Sequence, residues 1–418
     1  MIKGNYLIRK FKGKKYYLNL ENSEDISYTP PLSYNENFKF TPINRNINYF
    51  ILHINDTCNM CCSYCFEKEK KNNKMQLKTI YELIDFINTE PNVAEKINIR
   101  FFGGEPLLRI NFIEKIINLL NSNILNKKIK YNIFTNGILI NDKVIKMMSL
   151  YDLILFISID GIKKVHDKNR RLLNGKATHS IVEKNIKKVL KVHPDKIITR
   201  SVLNFSEFEN FIYNIEYLSS LGVRQFSFVL PWGEHLKQKK ELKSILKVID
   251  NFFEMFLLKI KNHEFDWIGI HPLSTTFFSL LNNDHFLENR VCGAGYEAIA
   301  IGTDSNIYPC HAFIYDNNFK IGTLKDMKFE KNNIIGNLDC TTIKKCKFCD
   351  IRFLCKIRCH ADNYLSDKDI QKKDNLKCYL EKYCIDSICK LLIDLKNYPK
   401  EKRLISLIEK KYRLKEYV

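Results

Sequence analysis

The stretch HINDTCNMCCSYCFEKEK, residues 53–70, packs four cysteines into eight residues. Two of them, Cys61 and Cys62, are adjacent, which is not the spacing of a zinc knuckle. Setting Cys61 aside leaves Cys58-x3-Cys62-x2-Cys65. Three thiolates so spaced can hold three corners of a cubane iron–sulfur cluster and leave the fourth iron without a protein ligand. An open metal position is the mark of a catalytic site. The competing reading is tetrahedral zinc, with His53 as the nearest fourth ligand. Cys61 reads as a packed or solvent-facing thiol with no ligand role.

The remaining cysteines form a second field. Of 14 in the chain, ten fall within 292–389 and none within 66–291. Nothing at the N-terminus reads as a secretion signal, because lysines interrupt its apolar stretches. Disulfides are therefore not expected, and metal or redox use is. The run CTTIKKCKFCDIRFLCKIRC contains Cys346-x2-Cys349-x5-Cys355-x3-Cys359. Cys292 (in VCGAGY) and Cys310 (in IYPCH) stand upstream, and Cys378 stands downstream. On thiols alone, this field suits iron–sulfur clusters or a pair of zinc ribbons. A segment this rich in Cys, Gly and Asp, with few long periodic runs, needs a metal to build its core.

These thiols need a scaffold. The 418 residues are too many for one small core. Strand patterns at 48–54, 96–102, 129–135, 153–159, 195–203 and 224–230 alternate with helical patterns at 78–89, 110–124, 141–150, 180–192 and 208–222. This predicts an α/β protein built on a parallel sheet, a partial (β/α)6 TIM-type barrel, followed by a small Cys-rich iron–sulfur C-terminal domain. The motifs fall in register. The cysteine loop follows the first strand, GGEP (103–106) the second and TNG (135–137) the third, and SIDG (158–161) closes the fourth. All lie at C-terminal strand ends, the face on which barrel enzymes assemble one composite site. The expected divisions are a hairpin-like segment (1–47), the barrel (48–235), a helical connector (236–290), the auxiliary domain (291–383) and a C-terminal helix (384–418).

Composition narrows the partners. Hydrophobic residues make up 45% and charged residues 27%, an ordinary globular balance. No run of about 18 apolar residues occurs, so no membrane span is expected, and the expected compartment is the cytoplasm. The net charge of +20 is spread along the whole sequence. It reads as a lysine-rich surface that would attract an acidic peptide, not as a nucleic-acid patch.

The cysteine loop after strand one, with GGEP after strand two, resembles the radical S-adenosylmethionine superfamily. That resemblance implies a [4Fe-4S] cluster on Cys58, Cys62 and Cys65, its open iron chelating S-adenosylmethionine, and reductive cleavage to a 5′-deoxyadenosyl radical. It implies that Gly103, Gly104 and Glu105 contact the methionine amino group and that Tyr64 lies beside the adenine. Ser158 and Asp160 would approach the ribose. The tail resembles the SPASM domain that follows such barrels, and the likeness spans roughly 48–385. It implies two auxiliary [4Fe-4S] clusters, one on Cys292, Cys310 and Cys359 and one on Cys346, Cys349, Cys355 and Cys378, making three in all. Two departures stand out. No cysteine occurs in 293–300, so the first auxiliary cluster is expected to keep an open iron unless Cys340 serves it. Ser305 replaces the glycine before YPC, in a turn that Asp304 and Asn306 tolerate. Cys384 and Cys389 have no assigned role.

Relatives of this kind mostly modify peptides or proteins. One class crosslinks ribosomally made peptides through thioether or carbon–carbon bonds, or epimerises them. A second, the anaerobic sulfatase-maturating type, makes formylglycine and places an aspartate directly after the YPC cysteine. Here that residue is His311, a candidate acid/base. Residues 1–47 offer a place for a leader peptide to add as a strand. The expected function is therefore peptide maturation, with a precursor peptide or protein as substrate and a flavodoxin or ferredoxin as electron donor. The alternatives are sulfatase maturation and, from another class, a non-catalytic zinc or iron–sulfur protein binding nucleic acid. Arg170 and Arg200 are candidate carboxylate binders.

Overall fold

The computed structural model describes the chain except Gly4, most of 21–45, residues 68–71, 234–238 and 265–268, most of 272–291, residues 327, 330–332, 356–358 and 373, and 398–418. Its N-terminal strands β1 (Ile2–Lys3), β2 (Tyr6–Phe11), β3 (Lys14–Asn19) and β4 (Ile26–Ser27) form an antiparallel sheet in sequence order. The expected hairpin is thus the centre of a four-stranded sheet. Lys12 and Gly13 turn it with φ of 46° and 83°, the doubly positive geometry that suits a two-residue hairpin loop.

The barrel strands are β5 (Ile47–His53), β6 (Val93–Phe102), β7 (Lys128–Thr135), β8 (Leu153–Ser158), β9 (Ile197–Val202) and β10 (Gln225–Val229). All pair parallel in that order, with β11 (Gly269–His271) beyond β10. The alternation of β6 shows how the layers divide. Ile97, Ile99 and Phe101 are fully buried. They join Leu83 and Ile87 of helix Leu77–Thr89, and Ile113 and Ile117 of helix Ile110–Asn123, in the main core. Each such side chain contributes about 1.5–3 kcal/mol on burial. Arg100 and Phe102 alternate with them and face the barrel interior. Stability is thus supplied by one face of the sheet, which leaves the other free for chemistry.

The sheet does not stop at the barrel. β12 (Ala298–Ile301) pairs parallel with β5 on the side away from β6. β13 (Asn306–Tyr308), β14 (Gly322–Thr323) and β15 (Lys328–Phe329) continue it antiparallel, giving 11 strands among the described residues. The turn between β12 and β13 forms without the expected glycine: Ser305 takes φ of 63°, and its hydroxyl lies 2.8 Å from that of Thr79.

The last described helix runs from Asn375 to Lys396, so it starts before residue 384 and carries Cys378. Asp374 sets its start by accepting hydrogen bonds from the N–H groups of Leu376 and Lys377 at 2.7 and 3.0 Å. The expected remainder, 398–418, lies outside the described residues. This helix packs against helix Lys239–Lys261, where Tyr383 donates to Asp250 at 2.6 Å. Arg9 of β2 grips Asp386 with two bonds, at 2.5 and 2.7 Å, and also contacts Asp350; Tyr16 donates to Asp386 at 2.7 Å. Among the described residues no helix is long and apolar enough to cross a membrane.

Candidate active site

At the C-terminal ends of the barrel strands lies a cavity of about 190 Å³. Cys58, Cys62 and Cys65 all line it, together with Tyr64, Gly103, Gly104, Asn136, Ser158, Arg200 and His311. Among the described residues no three His, Cys, Asp or Glu side chains converge as they would on one metal ion.

The cysteine loop is held from two sides. On one, the N–H groups of Gly104 and Glu105 donate to the carbonyls of Asn55 and Thr57, each at 2.8 Å. A Cβ on Gly103 would stand 2.3 Å from the Asn55 oxygen, and one on Gly104 would stand 2.2 Å from the Thr57 oxygen. Only glycine permits that approach. On the other side, the N–H groups of Cys61 and Ser63 donate to the carbonyls of Arg171 and Asn169, each at 2.9 Å. Cys61 is exposed, and its thiol donates to the Leu172 carbonyl at 3.3 Å.

Glu105 does not line the cavity. It is fully buried beneath it. One oxygen accepts the Thr135 hydroxyl at 2.7 Å and the Leu107 N–H at 3.0 Å, and the other accepts the Asn136 N–H at 2.7 Å. Asn136 in turn donates to Asn59 at 2.7 Å and reaches within 3.8 Å of Cys58 Sγ. The acid of GGEP therefore braces the TNG turn, and the turn braces the cysteine loop.

Asp160 is likewise buried under the site. It accepts the Tyr64 hydroxyl, Arg170 Nε and Nη2 at 3.0 and 3.1 Å, and the Val202 N–H at 2.9 Å. Arg170 is therefore already paired. Burial and Asp160, against the opposing pull of Arg170, hold the Tyr64 phenol protonated, well above its ordinary range. His53, the fourth zinc ligand considered above, is instead engaged by Asp56, with Nε2 2.8 Å from its carboxylate, and does not line the cavity that the three thiols share.

The sequence reading missed the aromatic wall. Phe66 and Trp232 pack at 5.0 Å, and His311 lies 4.3 Å from Phe102 and 5.7 Å from Trp232 between ring centres. The signal available was positional: Trp232 follows the sixth strand and Phe66 follows Cys65. His311 Nδ1 is buried with no hydrogen-bond partner among the described residues. Burial, with Arg200 and His53 nearby, keeps the ring neutral by pushing its pKa down to about 3.

In the second cysteine field, Cys359 and Cys292 lie close enough to Cys310 to raise its pKa, and Cys292 close enough to Cys359 to do the same. Burial and then Cys292 push Cys359 up to about 12. Cys310 lies two residues after β13, and Cys359 caps helix His360–Asp367. Cys346 and Cys349 share a turn, with Cys349 N–H donating to the Cys346 carbonyl at 2.9 Å. Cys340 is fully buried against Cys346, Ile343 and Phe353, on the side of this second set. Cys389, also fully buried, sits beside Tyr16 and Asp386 on the last helix.

Residues 52–212 match the Radical SAM superfamily. An uncharacterised Methanocaldococcus jannaschii protein is 35% identical over 209 residues, which cover 49% of this chain and 69% of that one. The chain belongs to the radical SAM superfamily. It is a maturase-type enzyme, and this replaces the non-catalytic nucleic-acid reading. A cysteine-type anaerobic sulfatase-maturating enzyme of Clostridium novyi is 26% identical over 346 residues, covering 76% of this chain and 89% of the relative. The fold is shared with native anSMEcpe with bound AdoMet and Kp18Cys peptide (TM-score 0.68, 21% identity, 84% of this chain and 99% of that one). It is shared also with Streptococcus suis SuiB bound to precursor peptide SuiA (TM-score 0.55, 15% identity, 90% and 98%). The superfamily implies S-adenosylmethionine and a [4Fe-4S] cluster. The residues present fit both: three thiols ring one cavity whose edge is the bare backbone of Gly103 and Gly104. A cubane also holds its cysteines farther apart than one ion would.

Proposed function

We propose that this enzyme matures a ribosomally made peptide by a thioether or carbon–carbon crosslink, or by epimerisation. One observation carries the reading: Cys58, Cys62 and Cys65 open onto the same cavity as His311, whose neighbour Cys310 belongs to the second cysteine field. A substrate in that cavity would lie against the first set of thiols and against the residue next to Cys310 of the second. Cys58, Cys62 and Cys65 would hold the cluster to which S-adenosylmethionine binds. When bound, that pair would supply the radical chemistry that removes a hydrogen atom from the substrate.

The other residues bind and orient. Gly103 and Gly104 would offer backbone groups to the methionine end, Tyr64 would flank the adenine and Ser158 would meet the ribose, while Asn136 steadies Cys58. Asp160 and Glu105 act through Tyr64 and Asn136 instead of by contact. His311 Nδ1, buried and without a partner among the described residues, would hydrogen-bond to the substrate, but the lowered pKa of the ring makes it a weak base. Cys292, Cys310 and Cys359, and separately Cys346, Cys349, Cys355 and Cys378, would hold two auxiliary clusters. A flavodoxin or ferredoxin would supply the electron.

Sulfatase maturation is the second reading, favoured by the 26% identity along 89% of the Clostridium novyi enzyme. Against it, His311 stands where that type places an aspartate. The experiment is an anaerobic incubation of reconstituted enzyme, reductant and S-adenosylmethionine with peptides encoded beside its gene. Loss of two hydrogens marks a crosslink, and deuterium uptake from heavy water marks epimerisation. An aldehyde captured by a hydrazide marks formylglycine and would replace the first reading with the second.

A further inference from the structure

The cavity carries a charge that the site described above does not use. Arg200, on β9, lines it beside its register partner Ser158 on β8. Its guanidinium lies 5.8 Å from the centre of the Phe134 ring. Arg170 is neutralised by Asp160, and Arg9 by Asp386 and Asp350. Arg200 makes no ion pair among the described residues. Of the described lining residues only Glu67 is acidic, and it faces His53 at 3.8 Å.

A second guanidinium stands behind it. Arg100 lies two residues before Phe102 on β6, on the same interior face. It stacks on Tyr49 at 3.9 Å, and its Nε is buried with no hydrogen-bond partner among the described residues. Burial, and then repulsion from Arg100 and Arg170, push the Arg200 pKa down to about 10. It is still charged at neutral pH. Two neighbouring guanidiniums without an acid are costly in a closed site. A bound anion offsets that cost, and the planar fork of arginine matches a carboxylate. Arg200 also lies within electrostatic reach of Cys359, which puts it toward the second cysteine field, beside His311 and Trp232.

We propose that Arg200, backed by Arg100, is a subsite for a carboxylate of the peptide substrate, either an acidic side chain or the chain terminus, close to the residue modified. The proposal rests on the peptide-maturation reading. Its test needs no turnover, so the two can fail separately.

The probe is N-acetylglutamate, with N-acetylglutamine as its uncharged counterpart, in equilibrium dialysis against the anaerobic holoenzyme. A charge-assisted fork predicts about tenfold tighter binding of the acid than the amide. R200Q should abolish that preference and R200K should keep part of it. Saturating S-adenosylmethionine should leave it in place. Protection of Arg200 from phenylglyoxal by the acid, read on the wild-type protein, repeats the test without a variant. Three results overturn the proposal. The wild type shows no preference; S-adenosylmethionine displaces the probe, making this the subsite of its own carboxylate; or R200Q keeps the preference while changing the cluster spectra, making Arg200 a counter-charge to iron–sulfur.

Discussion

Glu105 accepts the backbone N–H of Asn136 at 2.7 Å, and both residues lie at the ends of neighbouring strands. Through this bond, and the one from the Thr135 hydroxyl, the GGEP turn sets the TNG turn, which in turn touches Asn59 and Cys58. Glu105→Gln turns one acceptor into a donor aimed at an N–H or hydroxyl. A buried mismatch of this kind costs about 1–3 kcal/mol. A fall in thermal midpoint together with weaker S-adenosylmethionine binding is expected, at unchanged iron content. A variant of wild-type stability would show that the brace is dispensable.

The four cysteines of the loop should separate cleanly. Alanine at Cys58, Cys62 or Cys65 should remove the loop's iron and all 5′-deoxyadenosine formation, while iron bound by the tail stays. Alanine at Cys61, whose thiol points to the Leu172 carbonyl, should change neither. Iron and sulfide analysis with electron paramagnetic resonance reads both outcomes.

Gly104→Ala places a methyl group 2.2 Å from the Thr57 carbonyl oxygen. The strand end and the cysteine loop must then part. A loss of at least about 2 kcal/mol is expected, with faster amide exchange confined to the loop and the GGEP turn. Exchange unchanged at Thr57 and Glu105 would contradict this.

Acid should weaken the fold before its carboxylates titrate. His166 is fully buried, with Nε2 2.9 Å from the Thr178 hydroxyl. Burial first, then Arg170 and His179, push its pKa down to about 3 from the ordinary 6.5. The unfolded chain takes up this proton below about pH 6.5 and the folded chain does not, so stability falls with pH across that window. The slope approaches about 1.4 kcal/mol per pH unit for one such group. Denaturation midpoints compared between pH 7 and 5 should show it, and His166→Gln should flatten the slope.

Breaking the clasp between the N-terminal sheet and the last helix should be costly. Arg9→Ala leaves Asp386, 6% exposed, without its guanidinium. The expected loss is about 3 kcal/mol, read as a lower thermal midpoint. Restored stability in the double variant with Asp386→Ala would identify the stranded carboxylate as the cause.

Much of this was legible in the sequence because barrel strands are short apolar runs of fixed period. The six strand stretches and the motifs at their ends appear where the pattern put them, because each strand buries a whole face on a layer of helices. The cysteine spacing marked out Cys58, Cys62 and Cys65 as a set apart from Cys61. What the pattern could not carry was side-chain direction. Glu105 and Asp160 read as ligands by position, yet both turn beneath the cavity, where backbone N–H groups, hydroxyls and Arg170 satisfy them. Arg170 and Arg200 looked alike in the sequence. Only the distances to Asp160 show that one is paired. The aromatic wall escaped because Phe66, Phe102 and Trp232 are far apart in the chain and carry no periodic signal. The last helix began early because Asp374 caps it, a local bond invisible to a hydrophobic pattern.

The pairing of β12 with β5 has a mechanical meaning. β5 delivers the cysteine loop, and β12 leads through β13 to Cys310. The two sets of thiols are therefore mounted on one plate, joined by ladder bonds between Tyr49–Leu52 and Ala298–Ile301. They cannot be drawn apart like the halves of a jaw without tearing the sheet. The spacing between the loop's thiols and Cys310 is therefore set by the sheet itself and does not depend on what occupies the cavity.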